Sequence, residues 1–325
     1  MIARQSRTIA SFAEATEAGL ATRDAYGEAL LALGEEDDRI VVLDGDLSRS
    51  TRTEWWEKKF PDRFINAGIA EQNLIGMAAG LASVGFVPFA TTYVIFVTRA
   101  LDQIRQSVCF AGANVKIVGS HSGYAASFDG GSHQGLEDIA MLGVLPGMTV
   151  LAPLDHPDTV RAVRWAARHE GPVYIRTQKE ASGVVTDGGE AEDPFAIRQW
   201  GEGTDLALVA TGSRVHAALL AAAELARDGH DVRVLGVAAL KPFDETGLRE
   251  AIGGARQVVT VEEHMVRGGL FDLACVALRG TAVPVHPIAA IDRFGETGSW
   301  HELLRANGLD TPGIRDRARA ILRCG

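Results

Sequence analysis

The chain has 325 residues, 46% of them hydrophobic, and carries 32 lysines and arginines against 42 aspartates and glutamates, a formal charge of −10. That much apolar material can close about two cores, and an acidic chain without a basic cluster excludes the electrostatic footprint of a nucleic-acid binder. Three widely spaced cysteines (Cys109, Cys275 and Cys324) exclude a disulfide framework, and the lack of a secretory apolar core or an 18-residue apolar run predicts a cytoplasmic protein with no membrane span.

Residues 1–20 read as an N-terminal arm that either docks or stays loose. From 21 to 185, helical and strand periods alternate. A helix is expected over 24–34, an apolar run at 39–43, a helix in the stretch FINAGIAEQNLIGMAAGLASVG (64–85), a strand at 86–90 and a helix from about 99 to 110. Apolar runs follow at 115–119, 148–153 and 172–176, the last two flanking a helix from His156 to His169. Short β-branched runs separated by helices predict βα units, hence an α/β fold with a mostly parallel sheet flanked by helices. Residues 186–203, polar and rich in glycine and acids, read as a linker. The alternation then restarts, with an alanine-rich helix over 215–227, and predicts a second, smaller α/β domain over 204–325.

Open parallel sheets place ligands at the carboxyl ends of their strands, and the chemically able residues of the first domain fall there. Asp44 and Asp46 follow one apolar run, Glu71 follows Phe64-Ile65-Asn66, and a loop of glycine, serine and histidine (120–135) follows another. Arg176 and Lys179 close the series. Glu71 opens a helix, where a carboxylate complements the macrodipole by roughly 0.3–1 kcal/mol. Against that plain use stands its setting among Gly68, Gly76, Ala78, Ala79, Gly80 and Ala82, small residues that let another backbone or chain approach. His121, Asp129 and His133 lack a metal-ligand spacing. They read either as a solvated loop or as a hydrogen-bonding set for a polyhydroxylated substrate. Neither a dinucleotide fingerprint, a P-loop nor a serine-hydrolase elbow is present.

Segments in order, among them ATRDAYGEALLALG, VVLDGDLSRS, RFINAGIAEQNLIGMAAGLA, PFATTYVIFVTRALDQIR, HSGYAASFDGGSHQGLEDIAMLGVLPGMTVLAPLD, LALVATGSRV and VVTVEEHMVRGGL, resemble the C-terminal half of transketolase in the form found as a separate subunit. The resemblance covers almost everything after about residue 20. It implies thiamine diphosphate chemistry, with a pyrimidine-binding domain over 21–185 and the family's small C-terminal domain after the linker. It implies that Glu71, in its A-E-Q-N context, is the catalytic carboxylate that bonds the cofactor's pyrimidine ring. Tyr93 and Phe96 would stack around that ring, and Asp46 would lie near the cofactor. His121, Asp129 and His133 would line the substrate channel, both histidines taking part in catalysis. The family's phosphate-holding arginine falls near Lys179, with Arg176 close by; a second arginine is expected at Arg49 or Arg52. Lysine lacks arginine's bidentate fork, so a less charged substrate stays open beside a sugar phosphate.

The family grips diphosphate and a divalent metal, Mg²⁺ or Ca²⁺, with a G-D-G motif and a following asparagine. Here Gly45-Asp46-Leu47 breaks that pattern. The resemblance therefore implies a partner subunit carrying the diphosphate half, in an α2β2 assembly, and no metal ligand on this chain. The implied reaction is transfer of a two-carbon ketol unit from a ketose to an aldose. Competing readings are the β subunit of a 2-oxoacid dehydrogenase, a deoxyxylulose-phosphate-synthase-like enzyme, or a non-catalytic scaffolding subunit.

Overall fold

The computed structural model describes residues 1–14, 19–187 and 193–324. The apolar run Ile40–Asp44 is a strand buried at all five positions, as expected of a parallel strand covered on both faces. Its side chains alternate between two cores. Val41 and Leu43 pack with Leu74, Ile75, Ile104 and Ile117, whereas Ile40 and Val42 pack with Leu30, Phe89, Val118 and Val163.

Among the described residues the first sheet runs, in spatial order, Ala239–Lys241, Thr149–Leu151, Val173–Arg176, Lys116–Ser120, Val87–Tyr93, Ile40–Asp44 and Phe64–Asn66. All neighbours are parallel except the first pair. The chain leaves Ile40–Asp44 toward one edge and returns on the other side at Val87–Tyr93. The loops after these two strands therefore flank a topological switch point, where open α/β sheets form a crevice. The second sheet runs Ile2–Arg4, Ile197–Trp200, Val232–Gly236, Leu206–Ala210, Gln257–Met265 and Val285–Ala290. The chain is thus an α/β protein of two mostly parallel sheets flanked by helices.

Two segments differ from the sequence expectation, and the N-terminal arm takes one of the two courses left open for it. The N-terminal arm docks: Ile2–Arg4 lies parallel to Ile197–Trp200, a strand inside the stretch read as linker. That strand, IRQW, is wholly buried, its two polar residues masking the apolar pattern; residues 188–192 of the expected linker lie outside the described residues. The segment expected as one helix over 99–110 is broken into short turns ending in a π-helical stretch, Ile104–Phe110.

The two units are joined by more than the chain. Ala239–Lys241, from beyond the expected linker, pairs antiparallel with Thr149–Leu151. One apolar cluster runs through Val150, Leu240, Val209 and Leu270. Among the described residues no helix is long and apolar enough to cross a membrane.

Candidate active site

Glu71 is the first residue of the helix Glu71–Ser83, entered through Gly68 at φ +71°. The helix buries Leu74, Ile75 and Ala78 against the sheet, which fixes its first turn at the carboxyl edge. Glu71 is only 3% exposed, and its Oε2 has no hydrogen-bond partner. The nearest cation, Arg99 Nε, stands 3.6 Å away, beyond hydrogen-bond distance, on a side chain that is mostly in solvent. An orphaned carboxylate oxygen in a native fold calls for an explanation.

Tyr93 ends the strand Val87–Tyr93, and the turn after it carries Phe96 and Arg99. The Tyr93 ring stacks on Phe96 (5.6 Å between centroids, 3° between planes) and, on its other neighbour, on His121 (3.9 Å, 22°). Phe96 in turn meets His133 edge-on at 5.4 Å. Four of the predicted residues therefore form one continuous ring cluster, although His121 and His133 lie twelve positions apart.

His121 is buried, and its Nδ1 lies 3.0 Å from Ser120 Oγ. Burial first, and then the charges of Arg23, Lys179 and Arg52, push its pKa down to about 3, so the imidazole is neutral near pH 7. His133 Nδ1 lies 3.0 Å from Ser132 Oγ. Burial raises the Tyr93 phenol, and Asp129, exposed on the loop, adds to that rise. Asp46 sits at the neighbouring loop, accepting a bond from Asn66 Nδ2 at 2.9 Å. Four non-glycine residues carry left-handed φ among the described residues: Asp46, Arg52, His121 and Ser127. All four lie in the segments that follow Ile40–Asp44 and Lys116–Ser120. Strained backbone of this kind gathers at ligand sites.

Arg176 is engaged inside the fold. It is buried, and its guanidinium is committed to Asp138 (2.9 Å), Gly135 O (3.1 Å) and Glu263 O (2.9 Å). Lys179 stays partly exposed, 3.8 Å from Glu180. Arg23, which sequence reasoning passed over, joins it. Arg23 stands in the first turn of the helix Thr22–Glu36 and donates from Nη1 to Ser50 O at 3.0 Å. Its Nε is buried without a hydrogen-bond partner. Arg52 donates to Asp24 at 2.6 Å, neutralising the carboxylate next to Arg23. The segment Ala21-Thr22-Arg23 shares the family resemblance, but nothing local marks its arginine as facing a histidine about a hundred residues on.

Neutral, buried His121 carries a pH signature. The unfolded chain takes up a proton near pH 6.5, whereas the folded chain does so only near pH 3, so this residue's contribution to stability is lost as pH falls from 6.5 toward 3. Glu262, pushed up to about 8 by burial, acts with the opposite sign: it costs stability as pH rises from 4.5 to 8. The expected result is therefore a difference. His121→Asn, which does not titrate and tolerates left-handed φ, loses less stability than wild type between pH 6.5 and 4.5 in urea titrations. Parallel pH curves would contradict it.

An α/β sheet whose switch-point loops bring together an orphaned carboxylate, stacked rings and a neutral histidine has the build of a ligand-binding enzyme site. The comparisons with known proteins are specific. The family described as transketolase, pyrimidine binding domain, matches residues 18–183, and that described as transketolase, C-terminal domain, matches residues 196–314. This chain belongs to the transketolase family. It is 40% identical over 301 residues to a Methanocaldococcus jannaschii protein named as a transketolase C-terminal section, covering 91% of this chain and 94% of that one. It is 39% identical over 304 residues to the 6-deoxy-6-sulfo-D-fructose transketolase subunit SqwH of a Clostridium species, covering 92% and 94%. Human transketolase is 34% identical, but this chain spans only 49% of its length. Among solved structures, one described as a split gene transketolase, inactive beta4 tetramer, superimposes with TM-score 0.84 at 42% identity over 94% of this chain and 99% of that one. The family implies transferase chemistry and use of thiamine diphosphate.

Proposed function

We propose that this chain is the C-terminal subunit of a two-component transketolase that moves a two-carbon ketol unit from a ketose to an aldose. A partner chain would hold the cofactor's diphosphate and its Mg²⁺ or Ca²⁺, in an α2β2 assembly. The observation that carries the reading is the orphaned Glu71 oxygen beside a wall of stacked rings. That wall fits the aminopyrimidine of thiamine diphosphate: the half-buried Phe96 offers it a face, with the Tyr93 ring stacked behind, and Glu71 Oε2 offers an unspent acceptor for a ring proton. Bound there, the cofactor supplies an electron sink for cleaving the bond beside a ketose carbonyl. The remaining roles belong to this chain. Glu71 holds a proton against the pyrimidine ring. Neutral His121 and the half-exposed His133 exchange hydrogen bonds and protons with sugar hydroxyls, and Asp129 accepts from a hydroxyl at the mouth. Asp46, bonded to Asn66, braces the loop beside the cofactor.

Arg23 and Lys179 act together on His121 and suit the anionic end of a sugar. Either a phosphate or a sulfonate fits this pair of cations, and the Clostridium relative's name specifies a sulfo-sugar. A fork-and-fork grip on phosphate needs arginine at both positions; Lys179 relaxes that demand. The named relatives are transketolases, which does not favour the 2-oxoacid reading, and the complete Glu71, His121, Asp129 and His133 set is not what a scaffolding subunit would keep. The similar structure's description as an inactive β4 tetramer supports dependence on a partner.

The test is reconstitution with a diphosphate-binding partner, thiamine diphosphate and Mg²⁺, followed by ketol transfer from a ketose phosphate and from its sulfonate counterpart. Transfer from either supports the reading, and the ratio of the two names the anion. CO₂ release from pyruvate would overturn it. Arg23→Gln should raise the KM for the anionic donor roughly 10- to 100-fold, the loss of one charged hydrogen bond, with kcat little changed. An unchanged KM would remove Arg23 from the site.

A further inference from the structure

The loop that carries His121 does not hold itself. His121 has φ +62°, and two residues later Gly123 has φ +63°. The next amide, Tyr124 N, donates 2.7 Å to Glu263 Oε1, on the strand Gln257–Met265 of the second domain. A Cβ on Gly123 would stand 2.5 Å from Glu263 Cγ and Oε1, so loop and carboxylate are in direct contact. Glu263 is itself fixed. Its Oε1 also accepts from Trp300 Nε1 at 3.0 Å, and its Oε2 lies 3.4 Å from Arg214 Nε. Arg214 lies over the Trp300 ring at 4.7 Å.

More contacts run the same way. Gln134 Nε2, next to His133, donates to Glu296 O at 2.8 Å. Met265 N donates to Leu136 O at 2.8 Å. Gly131 lies so close to Gly295 that a Cβ there would stand 2.4 Å from the Gly295 oxygen. Arg176 ties Gly135 O to Glu263 O. Within the first domain, Ser122 N is held by Thr177 O at 3.1 Å. The histidine loop is thus clamped between its own sheet and the second domain, and among the described residues the one buried carboxylate reaching its backbone from that domain is Glu263.

We infer that Glu263 is a positioning residue: by accepting the Tyr124 amide it holds the left-handed turn that aims His121 at the substrate, which makes the second domain part of the active-site geometry rather than an appendage. The inference rests on the proposed sugar-transfer reading only for its kinetic consequence. Glutamine at 263 keeps one acceptor for Tyr124 N and Trp300 Nε1 but gives up the charge facing Arg214, whereas alanine removes the acceptor and the charge together.

The experiment has two arms. In the isolated full chain, hydrogen exchange followed by mass spectrometry should show peptides across 120–135 exchanging at least about tenfold faster in Glu263→Ala. Peptides across Val87–Tyr93 and Leu206–Ala210 should be unchanged, and Glu263→Gln should behave nearly as wild type. In the reconstituted complex, donor KM should rise roughly 10- to 100-fold in Glu263→Ala, the scale of a misplaced catalytic group, with cofactor affinity unchanged and Glu263→Gln rescuing. Gly123→Ala, which strains the same contact from the loop side, should reproduce the signature if Glu263→Ala fails to fold. Equal loop protection in wild type and both variants would overturn the inference. Absence of ketol transfer by wild type would instead sink the functional reading, with the exchange arm still deciding the role of Glu263.

Discussion

Glu71→Gln should lower ketol transfer by the reconstituted enzyme roughly 10²- to 10⁴-fold, the range by which a positioned proton-holding group accelerates a reaction, while the chain folds and assembles as before. The two halves of this expectation have separate origins. Glu71 is buried and its Oε2 is unbonded within the chain, so an isosteric amide breaks no internal hydrogen bond. The structural loss is limited to the charge at the helix N-terminus, about 0.3–1 kcal/mol, and to a 3.6 Å ion pair with a mostly exposed arginine, which is worth little. The catalytic loss is large because an amide cannot take and return a proton. The plain alternative, in which Glu71 only complements the helix dipole, predicts the reverse pattern: a small drop in melting temperature and nearly full activity. Measuring kcat, cofactor affinity and melting temperature on one preparation separates the two. A variant that retains more than about a tenth of the wild-type kcat removes Glu71 from proton transfer.

What could be read from the sequence follows the range over which each signal acts. The α/β alternation was legible because burial on both faces of a strand writes a local signature, as in RIVVL. The helix His156–Arg168 begins where expected, and Asp155 caps it by accepting from Asp158 N at 2.9 Å. The strand Ile197–Trp200 was not legible, because Arg198 and Gln199 are buried polar residues and only Ile197 and Trp200 look like a core. Arg198 donates to Asp193 O and Ala196 O nearby, but its buried carboxylate partner, Asp158, lies forty residues back in the chain, outside any short window. The same reason explains Arg176. Its place at the end of a strand suggested a substrate ligand, but its partners Asp138 and Glu263 make it a strut under the histidine loop. Arg23 and Glu263 were missed because their importance lies in what they face. The ring cluster of Tyr93, Phe96, His121 and His133 was assembled only through resemblance to a family; periodicity and spacing left it open.

Gly76→Leu should give a chain that is at least as stable as wild type alone and yet fails to form an active complex. Gly76 and Gly80 lie on the exposed side of the helix Glu71–Ser83, and a Cβ at either position meets nothing within 4 Å. Replacing glycine in a helix interior by a good helix former removes a cost of about 0.8–1 kcal/mol, so the isolated chain should melt at a slightly higher temperature. An open, side-chain-free stripe on the helix that carries Glu71 makes sense if another surface lies flat against it. Ile69 just before this helix and Val84 and Phe86 just after it are exposed apolar residues, the kind of surface that protein contacts cover. The proposed split centre needs a second chain close to Glu71, and a leucine at 76 would hold that chain off by the thickness of a side chain. Size-exclusion chromatography with the diphosphate-binding partner should show loss of the complex, and ketol transfer should fall to background, with Gly76→Ala intermediate. If Gly76→Leu assembles and turns over normally, this helix face is not where the partner sits, and the route by which Glu71 meets the other half of the site must be sought elsewhere.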